Sequence, residues 1–183
     1  MGVQSSFGFT LGRMEKGKLN KITDVPGVRV GHVTRHEGGI NTGVTAILPH
    51  TGDTFHDKCP AASHVINGFG KSIGLVQVNE LGTIETPLLL TNTLSVGTAA
   101  TALVKYMLER NADIGCDTGT VNPMVFECND GHLNDIRGLH VTEQNALDAL
   151  ANAVDDFEEG AVGAGSGMSC YSLCLLYTSP SPR

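Results

Sequence analysis

The sequence centres on sixteen residues, Glu127-Cys-Asn-Asp-Gly-His-Leu-Asn-Asp-Ile-Arg-Gly-Leu-His-Val-Thr142, which carry more potential chemistry than any other stretch of this length. The Asn-Asp-Gly triplet at residues 129–131 and the Asn-Asp pair at residues 134–135 favour turns, because Asn and Asp side chains bond nearby backbone groups and Gly accepts positive φ. His132 and Arg137 stand beside these turns, so donors, acceptors and a titratable imidazole meet on one loop. The stretch therefore predicts a loop that binds small polar groups.

The segments on either side of this loop are predicted to be a strand and a helix. Residues 121–126 form an apolar run interrupted by Pro123, which predicts a strand that leads into the loop. Thr142 is predicted to cap a helix that continues to Gly160, since the Glu and Gln that follow Thr142 suit a first helical turn. The predicted buried stripe of that helix consists of Leu147, Leu150, Ala151 and Val154.

Earlier segments predict a sheet. Residues 28–33 and 43–48 alternate in strand fashion on either side of a glycine pair, which predicts two neighbouring antiparallel strands. Residues 87–91, Pro-Leu-Leu-Leu-Thr, predict a strand buried on both faces. Short strands are also expected at residues 61–66 and 75–78.

A second helix is predicted to start at a cap formed by Thr93 or Ser95 and to run to about Glu109. Its apolar residues recur at three- and four-residue spacing and are expected to pack on the sheet. These strands and helices predict an α/β domain, and 183 residues suffice for one such domain with a substantial core. The residues of the packed helix face are Ala99, Ala102, Leu103, Tyr106 and Met107.

Composition and charge restrict the partners of this domain. Lys and Arg total 12 against 19 Asp and Glu, a net charge of −7 without a basic cluster, so a nucleic-acid or anionic membrane surface is not expected. The five cysteines contain no Cys-x-x-Cys pair, which argues against structural zinc and a disulfide framework. Neither a signal peptide nor a membrane span is predicted. We expect a cytoplasmic protein with small-molecule partners and no cofactor.

Several familiar motifs are incomplete in this sequence. The Gly-Lys-Ser at residues 70–72 lacks the first glycine of a phosphate-binding loop, because Val65 stands in its place. The glycine-rich residues 163–167 match neither a dinucleotide fingerprint nor a Gly-x-Ser-x-Gly nucleophile elbow. Cys128 lies near His132 in the sequence, but a buried thiol at a strand end is the favoured interpretation. The histidines lack ligand-like spacing with carboxylates, so no metal site is expected.

Both ends of the chain are set apart from the predicted domain. Residues 1–21 are polar and lack periodicity, which predicts a loose lead-in. Residues 173–183 resemble the translation of a transposase-type sequencing adaptor, so they are predicted to be a non-native tail. The folded domain is expected to occupy residues 22–172, and the natural polypeptide is expected to continue beyond about Ser172.

A series of longer motifs covers nearly all of residues 22–170. They are Ile22-Thr-Asp-Val-Pro-Gly-Val-Arg-Val-Gly-His32, Gly43-Val-Thr-Ala-Ile-Leu-Pro49, His64-Val-Ile-Asn-Gly-Phe-Gly-Lys-Ser72, Gly74-Leu-Val-Gln-Val78, Glu85-Thr-Pro87, Leu90-Thr-Asn-Thr-Leu-Ser-Val-Gly97, Asn129-Asp-Gly131, Leu133-Asn-Asp-Ile-Arg137 and the glycine-rich residues 163–168. In this order they resemble the DmpA-like family, which comprises L-aminopeptidase/D-amino-acid esterase-amidases and β-peptidyl aminopeptidases.

This resemblance implies a four-layer αββα sandwich like that of the N-terminal nucleophile hydrolases, here incomplete. It implies a precursor that cleaves itself before a serine, which then becomes the nucleophile for hydrolysis of amide or ester bonds at a free N-terminal amino acid. In the family that serine lies well past the glycine-rich motif, so the nucleophile is expected to be missing and this chain to be inactive. The substrates are expected to be small peptides, amino-acid amides or esters, and the full-length processed pairs are expected to form tetramers.

The resemblance also implies roles for the loop. An aromatic residue of the family aligns with His132, whose imidazole could donate a hydrogen bond to the oxyanion; a merely solvated His132 is the alternative. Asn129, Asp130 and Gly131 are predicted to contact substrate, with self-capping of the turn as the alternative for Asn129. Asp130 could bind the free amine of the substrate or anchor Arg137. Asn134 is also predicted to contact substrate, with bracing of the loop as the alternative.

The sequence leaves two other functions open. An ornithine acetyltransferase-like enzyme also cleaves itself, but before a threonine, and transfers an acetyl group. A non-catalytic small-molecule-binding module would apply if the chain folded alone.

Overall fold

The computed structural model describes residues 12–65 and 68–169. Six strands are present there: β1 (Arg29–Glu37), β2 (Ile40–Leu48), β3 (Cys59–Pro60), β4 (Thr83–Ile84), β5 (Leu88–Asn92) and β6 (Met124–Cys128). The helices are α1 (Leu75–Leu81), α2 (Val96–Arg110) and α3 (Glu143–Ala151), with short 3-10 turns between some of these elements. The predicted tail at residues 173–183 lies outside the described residues. Within the described part, no helix is both long and apolar enough to cross a membrane.

The main sheet has four strands in the order β1-β2-β5-β6. β1 and β2 form the predicted antiparallel hairpin and pair from Arg29 opposite Leu48 to Glu37 opposite Ile40. β2 and β5 are antiparallel, whereas β5 and β6 are parallel and are joined through α2. The predicted strand over residues 121–126 instead starts at Met124, because Pro123 has no N–H for the ladder, and it extends to Cys128.

One face of the sheet packs against α2 and α3 and forms the main core. Small residues line this contact, since Ala99, Ala102, Ala146 and Ala149 are fully buried. Gly31 allows β1 to approach α3 closely, because a Cβ atom at this position would lie 2.1 Å from the carbonyl oxygen of Ala149. The described residues thus supply one sheet layer and one helix layer of an α/β fold, which confirms the predicted fold class.

Two short strands expected from the sequence are not formed. Residues 75–78 belong to helix α1, which lies between Gly74 and Gly82, both with positive φ; an apolar run this short does not distinguish helix from strand. Residues 61–65 are irregular, and pairing occurs just before them, between β3 and β4. Ile66 lies outside the described residues. Beyond β3, the Ala61 N–H still donates to the carbonyl of Gly82, the residue before β4 (2.8 Å).

Helix α3 is shorter than predicted and buries a different stripe. Thr142 caps it as expected, since its side chain accepts a hydrogen bond from the N–H of Asn145, but the helix ends at Ala151 rather than near Gly160. The chain turns there so that Val154 can pair with the edge of β1. Ala151 and Val154 are exposed and Leu147 is half-buried. The buried residues of α3 are Ala146, Ala149 and Leu150.

Candidate functional site

Two parallel strands end side by side at one edge of the sheet. Asn92 at the end of β5 lies opposite Cys128 at the end of β6. The crossover to β6 begins at the same edge with the 3-10 turn Thr93–Ser95, in which the Ser95 N–H donates to Asn92 Oδ1 (3.0 Å). Ligands of open α/β sheets bind beyond the carboxyl ends of such strands. The loop predicted to bind small polar groups starts at this point, with Asn129.

Hydrogen bonds fix this loop against the β1–β2 hairpin. The Asn129 side chain accepts a hydrogen bond from the Gly131 N–H (3.0 Å), which makes the self-capped turn. The N–H of Asn41 donates to Asn134 Oδ1 (2.9 Å), and Asn41 Nδ2 donates to the carbonyl of Leu133 (2.7 Å). Asn134 therefore braces the loop.

Asp130 differs from the rest of the loop because it is fully buried, with an exposed fraction of 0%. Neither of its carboxylate oxygens has a hydrogen-bond partner in residues 12–65 and 68–169, and the same is true of Asn134 Nδ2. No ion pair joins Asp130 to Arg137 among these residues, so the anchoring interpretation of Asp130 is not realised there. A buried carboxylate is costly unless donors surround it, which singles out Asp130 within the loop.

The other predicted site residues lie at the surface. Asn129, Gly131 and His132 are exposed. The neighbouring Asp135 is also exposed, and its carboxylate accepts a hydrogen bond from His140 Nε2 (3.0 Å). The structure thus gathers the five predicted residues on one short loop, and only Asp130 and Asn134 are buried. Their functional roles stay predictions.

A cleft of about 430 Å³ opens beside the loop, a volume within the range of about 300–1,000 Å³ typical of small-molecule sites. It lies on the sheet face away from α2 and α3, since its lining residues Thr45 and Leu90 alternate with the core residues Val44 and Leu89. None of the five predicted residues lines it. Its lining residues are His32, Thr45, Leu90, Thr91, Glu127, Cys128, Phe157, Glu158, Glu159, Gly160, Val162, Ala164, Gly165 and Met168.

The cleft combines apolar walls with negative charge. Glu127, Glu158 and Glu159 line it, and no Lys or Arg is among its described lining residues. Glu127, at the end of β6, is half-buried and accepts a hydrogen bond from the hydroxyl of Thr93. Carboxylates in a partly desolvated, mostly apolar cleft favour a cationic ligand group. The arrangement is suited to a primary ammonium group attached to a small apolar body.

His32 connects the walls of the cleft through hydrogen bonds. Its Nε2 lies 3.0 Å from the carbonyl oxygen of Glu158 and its Nδ1 lies 2.9 Å from Thr45 Oγ1. A carbonyl only accepts, so Nε2 carries the proton. Thr45 Oγ1 also accepts from the Ala164 N–H (3.1 Å) and can therefore donate its own proton to Nδ1 of a neutral imidazole. His32 on β1 thus binds the segment of Glu158 directly, and through Thr45 on β2 it is connected to the 3-10 turn Gly163–Gly165.

Lys21 supports the same wall from the outside. Its ammonium donates to Asp156 Oδ1 (2.6 Å) and to the carbonyl of Phe157, and it lies 5.1 Å from the centroid of the Phe157 ring. The Lys21 side chain is only 4% exposed. The segment that carries Phe157 and the two glutamates is therefore positioned by contacts from both His32 and Lys21.

The Cys128 thiol lines the cleft and is held in its protonated form. Burial, followed by the negative charges of Asp130 and Glu127, raises its pKa to about 11, so it stays protonated near neutral pH. The thiol lies 3.2 Å from the carbonyl oxygen of Ala164 and 3.7 Å from that of Thr91. Cys128 thus lies at a strand end as predicted, but it is half-buried rather than fully buried.

Sequence reasoning missed the acidic cleft. Glu127 stood at the edge of the central stretch without an assigned role, although its place at a strand end was a usable signal. Glu158, Glu159 and His32 could not be linked to it, because more than 90 residues separate His32 from Glu127 and only the folded chain brings them together. In the described residues, no group of three or more His, Cys, Asp or Glu side chains is arranged to hold a metal ion.

Comparison with known proteins agrees with this architecture. The sequence model of Peptidase family S58 matches residues 20–174. The chain is 38% identical over 167 residues to the beta-peptidyl aminopeptidase BapA of Sphingosinicella microcystinivorans, an alignment that covers 86% of this chain and 41% of that protein.

Solved structures show the same similarity. The PH0078 protein from Pyrococcus horikoshii OT3 superposes with a TM-score of 0.88 at 55% identity, over 91% of this chain and 50% of that one. The L-aminopeptidase D-Ala-esterase/amidase from Ochrobactrum anthropi superposes with a TM-score of 0.79 at 36% identity, over 88% of this chain and 47% of that one. That enzyme is described as a prototype of the serine aminopeptidases and a variant of the Ntn hydrolase fold.

Two conclusions follow from these similarities. The expected resemblance to the N-terminal nucleophile hydrolase fold is confirmed, and the chain spans about half the length of these solved structures and about two fifths of the curated relative. With the family model matched over most of the chain, the protein belongs to Peptidase family S58.

Proposed function

We propose that this chain forms one wall of the active site of a serine aminopeptidase that hydrolyses amide or ester bonds at a free N-terminal amino acid. The observation that carries the proposal is the cleft with Glu127, Glu158 and Glu159 and with no described Lys or Arg in its lining. A free α- or β-amine is a primary ammonium near neutral pH, and this cleft fits such a group. The similarity to a beta-peptidyl aminopeptidase and to an L-aminopeptidase supports the same chemistry.

Glu127 binds the substrate ammonium in this proposal. It lies at the end of β6, where the Thr93 hydroxyl orients its carboxylate, and it is half-buried, so its charge acts through a poorly solvating environment. Phe157, Val162 and Met168 contact the side chain of the N-terminal residue. His32 keeps this wall in place through the Glu158 carbonyl and Thr45.

The nucleophile is supplied by polypeptide that follows this chain in the natural protein. The half-length match to the relatives supports this proposal. A serine released by self-cleavage attacks the carbonyl carbon, its own amine takes the hydroxyl proton, and the leaving amine accepts that proton as the C–N bond breaks; water then hydrolyses the acyl-serine ester and regenerates the hydroxyl. His132, on the exposed loop beside the cleft, donates a hydrogen bond to the oxyanion. The two carboxylate oxygens of Asp130 and the Nδ2 amide of Asn134 are buried without described partners; in this proposal the carboxylate accepts hydrogen bonds from the further polypeptide or the substrate, and Nδ2 donates to an acceptor there.

The open face of the sheet receives the second sheet of the αββα sandwich. Ile47, Leu88 and Leu90 are only partly buried there, although they belong to the central strands β2 and β5, and Phe126 on β6 is partly buried as well. Apolar side chains at such positions are covered in a finished domain. The processed pairs then assemble into a tetramer, as in the family, and the cytoplasmic location stays a prediction.

The experiment compares substrates with and without a free amine. The longer natural protein and its Glu127→Gln variant are assayed on an aminoacyl p-nitroanilide and on the N-acetylated form of the same compound. We expect the parent protein to prefer the free amine, and the substitution to raise KM for that substrate at least about tenfold, as for loss of a charge-assisted hydrogen bond. Glu109→Gln, on the exposed end of α2, is the control. Equal use of both substrates by the parent protein would show that the amine is not recognised.

A further inference from the structure

We propose that a second cavity, at the opposite end of the sheet from the cleft, binds a carboxylate or phosphate group through Arg29 and Arg110. The cavity measures about 300 Å³. It lies where β1 begins, β2 ends and α2 ends, whereas the cleft lies beyond the carboxyl ends of β5 and β6. This site is independent of the proposed aminopeptidase activity.

Arg29 provides the first argument, because its guanidinium is partly desolvated without an anion. Its Nε atom is buried and has no hydrogen-bond partner in the described part of the chain. No ion pair to Arg29 occurs among those residues either. Removing a guanidinium nitrogen from water without a partner is unfavourable. An oxyanion in the cavity that accepts from the terminal nitrogens of this guanidinium would offset part of the cost by neutralising its charge, because the guanidinium fork matches carboxylate and phosphate oxygens.

Arg110 provides a second positive charge that is already positioned. Its guanidinium carbon lies 3.5 Å from the centroid of the Tyr106 ring, and Nη1 donates to the carbonyl of Tyr106 (3.1 Å). Stacking on the ring holds the guanidinium at the cavity wall. Two arginines from different elements therefore face one small cavity, which is the arrangement expected for recognition of an oxyanion.

The other ionisable groups of the cavity do not neutralise these arginines. Burial alone would raise the pKa of Asp53, but hydrogen bonds from His56, the Phe55 N–H and Asn111 outweigh it and lower that pKa. Asp53 is thus ionised and engaged by groups other than the arginines.

His50 is neutral in this arrangement. Its Nδ1 accepts from the Gly52 N–H and its Nε2 donates to the carbonyl of Asp57, both at 2.9 Å. The two arginines against Asp53 leave the cavity with a net positive charge. Leu48, Pro49, Pro87 and Met107 supply the apolar part of its lining, so the fitting ligand is an oxyanion on a compact apolar body. That oxyanion belongs either to a free small molecule or to an acidic side chain from the polypeptide beyond this chain.

Anion binding to the 183-residue chain tests the proposal, with inorganic phosphate and isovalerate as probes at constant ionic strength. We expect saturable binding detected by calorimetry or by amide shifts in residues 50–54. Arg29→Gln and Arg110→Gln should each weaken it at least about tenfold. Arg35→Gln, on the same strand but outside the cavity, should change it less than twofold. If Arg29→Gln failed to fold, the exposed Arg110 would still provide the test.

The same titration on the longer natural protein identifies the source of the anion. Binding to both proteins indicates a free small-molecule ligand. Binding to the 183-residue chain alone indicates that an acidic side chain of the longer protein occupies the site. Absence of saturation up to about 100 mM in both proteins, or equal affinity of Arg29→Gln and Arg35→Gln, would overturn the proposal.

Discussion

The close approach of β1 to α3 gives a stability prediction whose size follows from the structure. In Gly31→Ala, the new Cβ atom would lie 2.1 Å from the carbonyl oxygen of Ala149, 2.7 Å from the N of Ala153 and 2.8 Å from the carbonyl carbon of Asn152. These atoms are backbone, so no side chain can rotate away. The strand and the helix must separate by roughly 1 Å at this point, which also loosens the alanine contacts around it.

Overpacking of this kind costs about 1–3 kcal/mol, and a rigid backbone contact belongs at the upper end. Replacing glycine by alanine also lowers the conformational entropy of the unfolded chain, which stabilises the folded state by about 0.4–1 kcal/mol. We therefore expect Gly31→Ala to lower the free energy of unfolding by about 2 kcal/mol. The matched control is Gly39→Ala in the β1–β2 turn, where an added Cβ meets nothing within 4 Å and a change within about 0.5 kcal/mol is expected.

Urea unfolding followed by circular dichroism measures both variants. The unfolding midpoint of Gly31→Ala should fall while that of Gly39→Ala stays near the parent value, with similar m-values for all three proteins. Equal midpoints for the two variants would refute the packing of β1 on α3 by way of Gly31.

Three further predictions concern single side chains. Lys58→Met should lower the free energy of unfolding by about 1.5–3 kcal/mol, because it removes the charge-assisted hydrogen bond (2.5 Å) from Lys58 to the 5% exposed Glu85, whose carboxylate keeps its hydrogen bonds from Asn122. Burial alone would raise the pKa of Glu85, but hydrogen bonds from Lys58 and Asn122 lower it. The Glu85 carboxylate therefore contributes fully to stability above its unfolded pKa of about 4.3, and this contribution is lost as the pH falls through the folded pKa. Measuring the free energy of unfolding against pH, in the parent and in Lys58→Met, checks this. Thr142→Ala removes the cap of α3 and should cost about 1 kcal/mol, whereas Thr118→Ala, in an exposed turn, should cost less in the same urea assay. Cys128 should react with iodoacetamide much more slowly at pH 8 than the exposed Cys116 does; equal rates, resolved by peptide mass spectrometry, would contradict the buried thiol.

Local sequence patterns predicted the elements that depend on local or short-range interactions. The β1–β2 hairpin follows from alternation on either side of a glycine turn, and the start of α3 follows from the Thr142 cap. The end of α3 was predicted wrongly, because Val154 leaves the helical pattern to pair with Val30, which is 124 residues earlier in the sequence (154 − 30). Residues 75–78 were also assigned wrongly, since a short apolar run suits a strand or a helix and the two flanking glycines with positive φ decided the outcome.

The candidate site was predictable only in part for the same reason. The Asn-Asp-Gly turn was recognisable from its residues, but the burial of Asp130 was not, because turn formers are normally exposed. The acidic cleft depends on His32 and Lys21 holding the segment around Phe157 against the sheet. Such contacts between distant segments have no local signature in a sequence.

We propose that this chain carries the substrate-binding wall of a serine aminopeptidase and that the nucleophile lies outside these 183 residues. The most direct measurement is hydrolysis of aminoacyl p-nitroanilides by the purified 183-residue chain beside the longer natural protein. We predict turnover by the longer protein and none by the 183-residue chain above a heat-inactivated blank. Turnover by the 183-residue chain would contradict this proposal, because the nucleophile would then lie within these 183 residues.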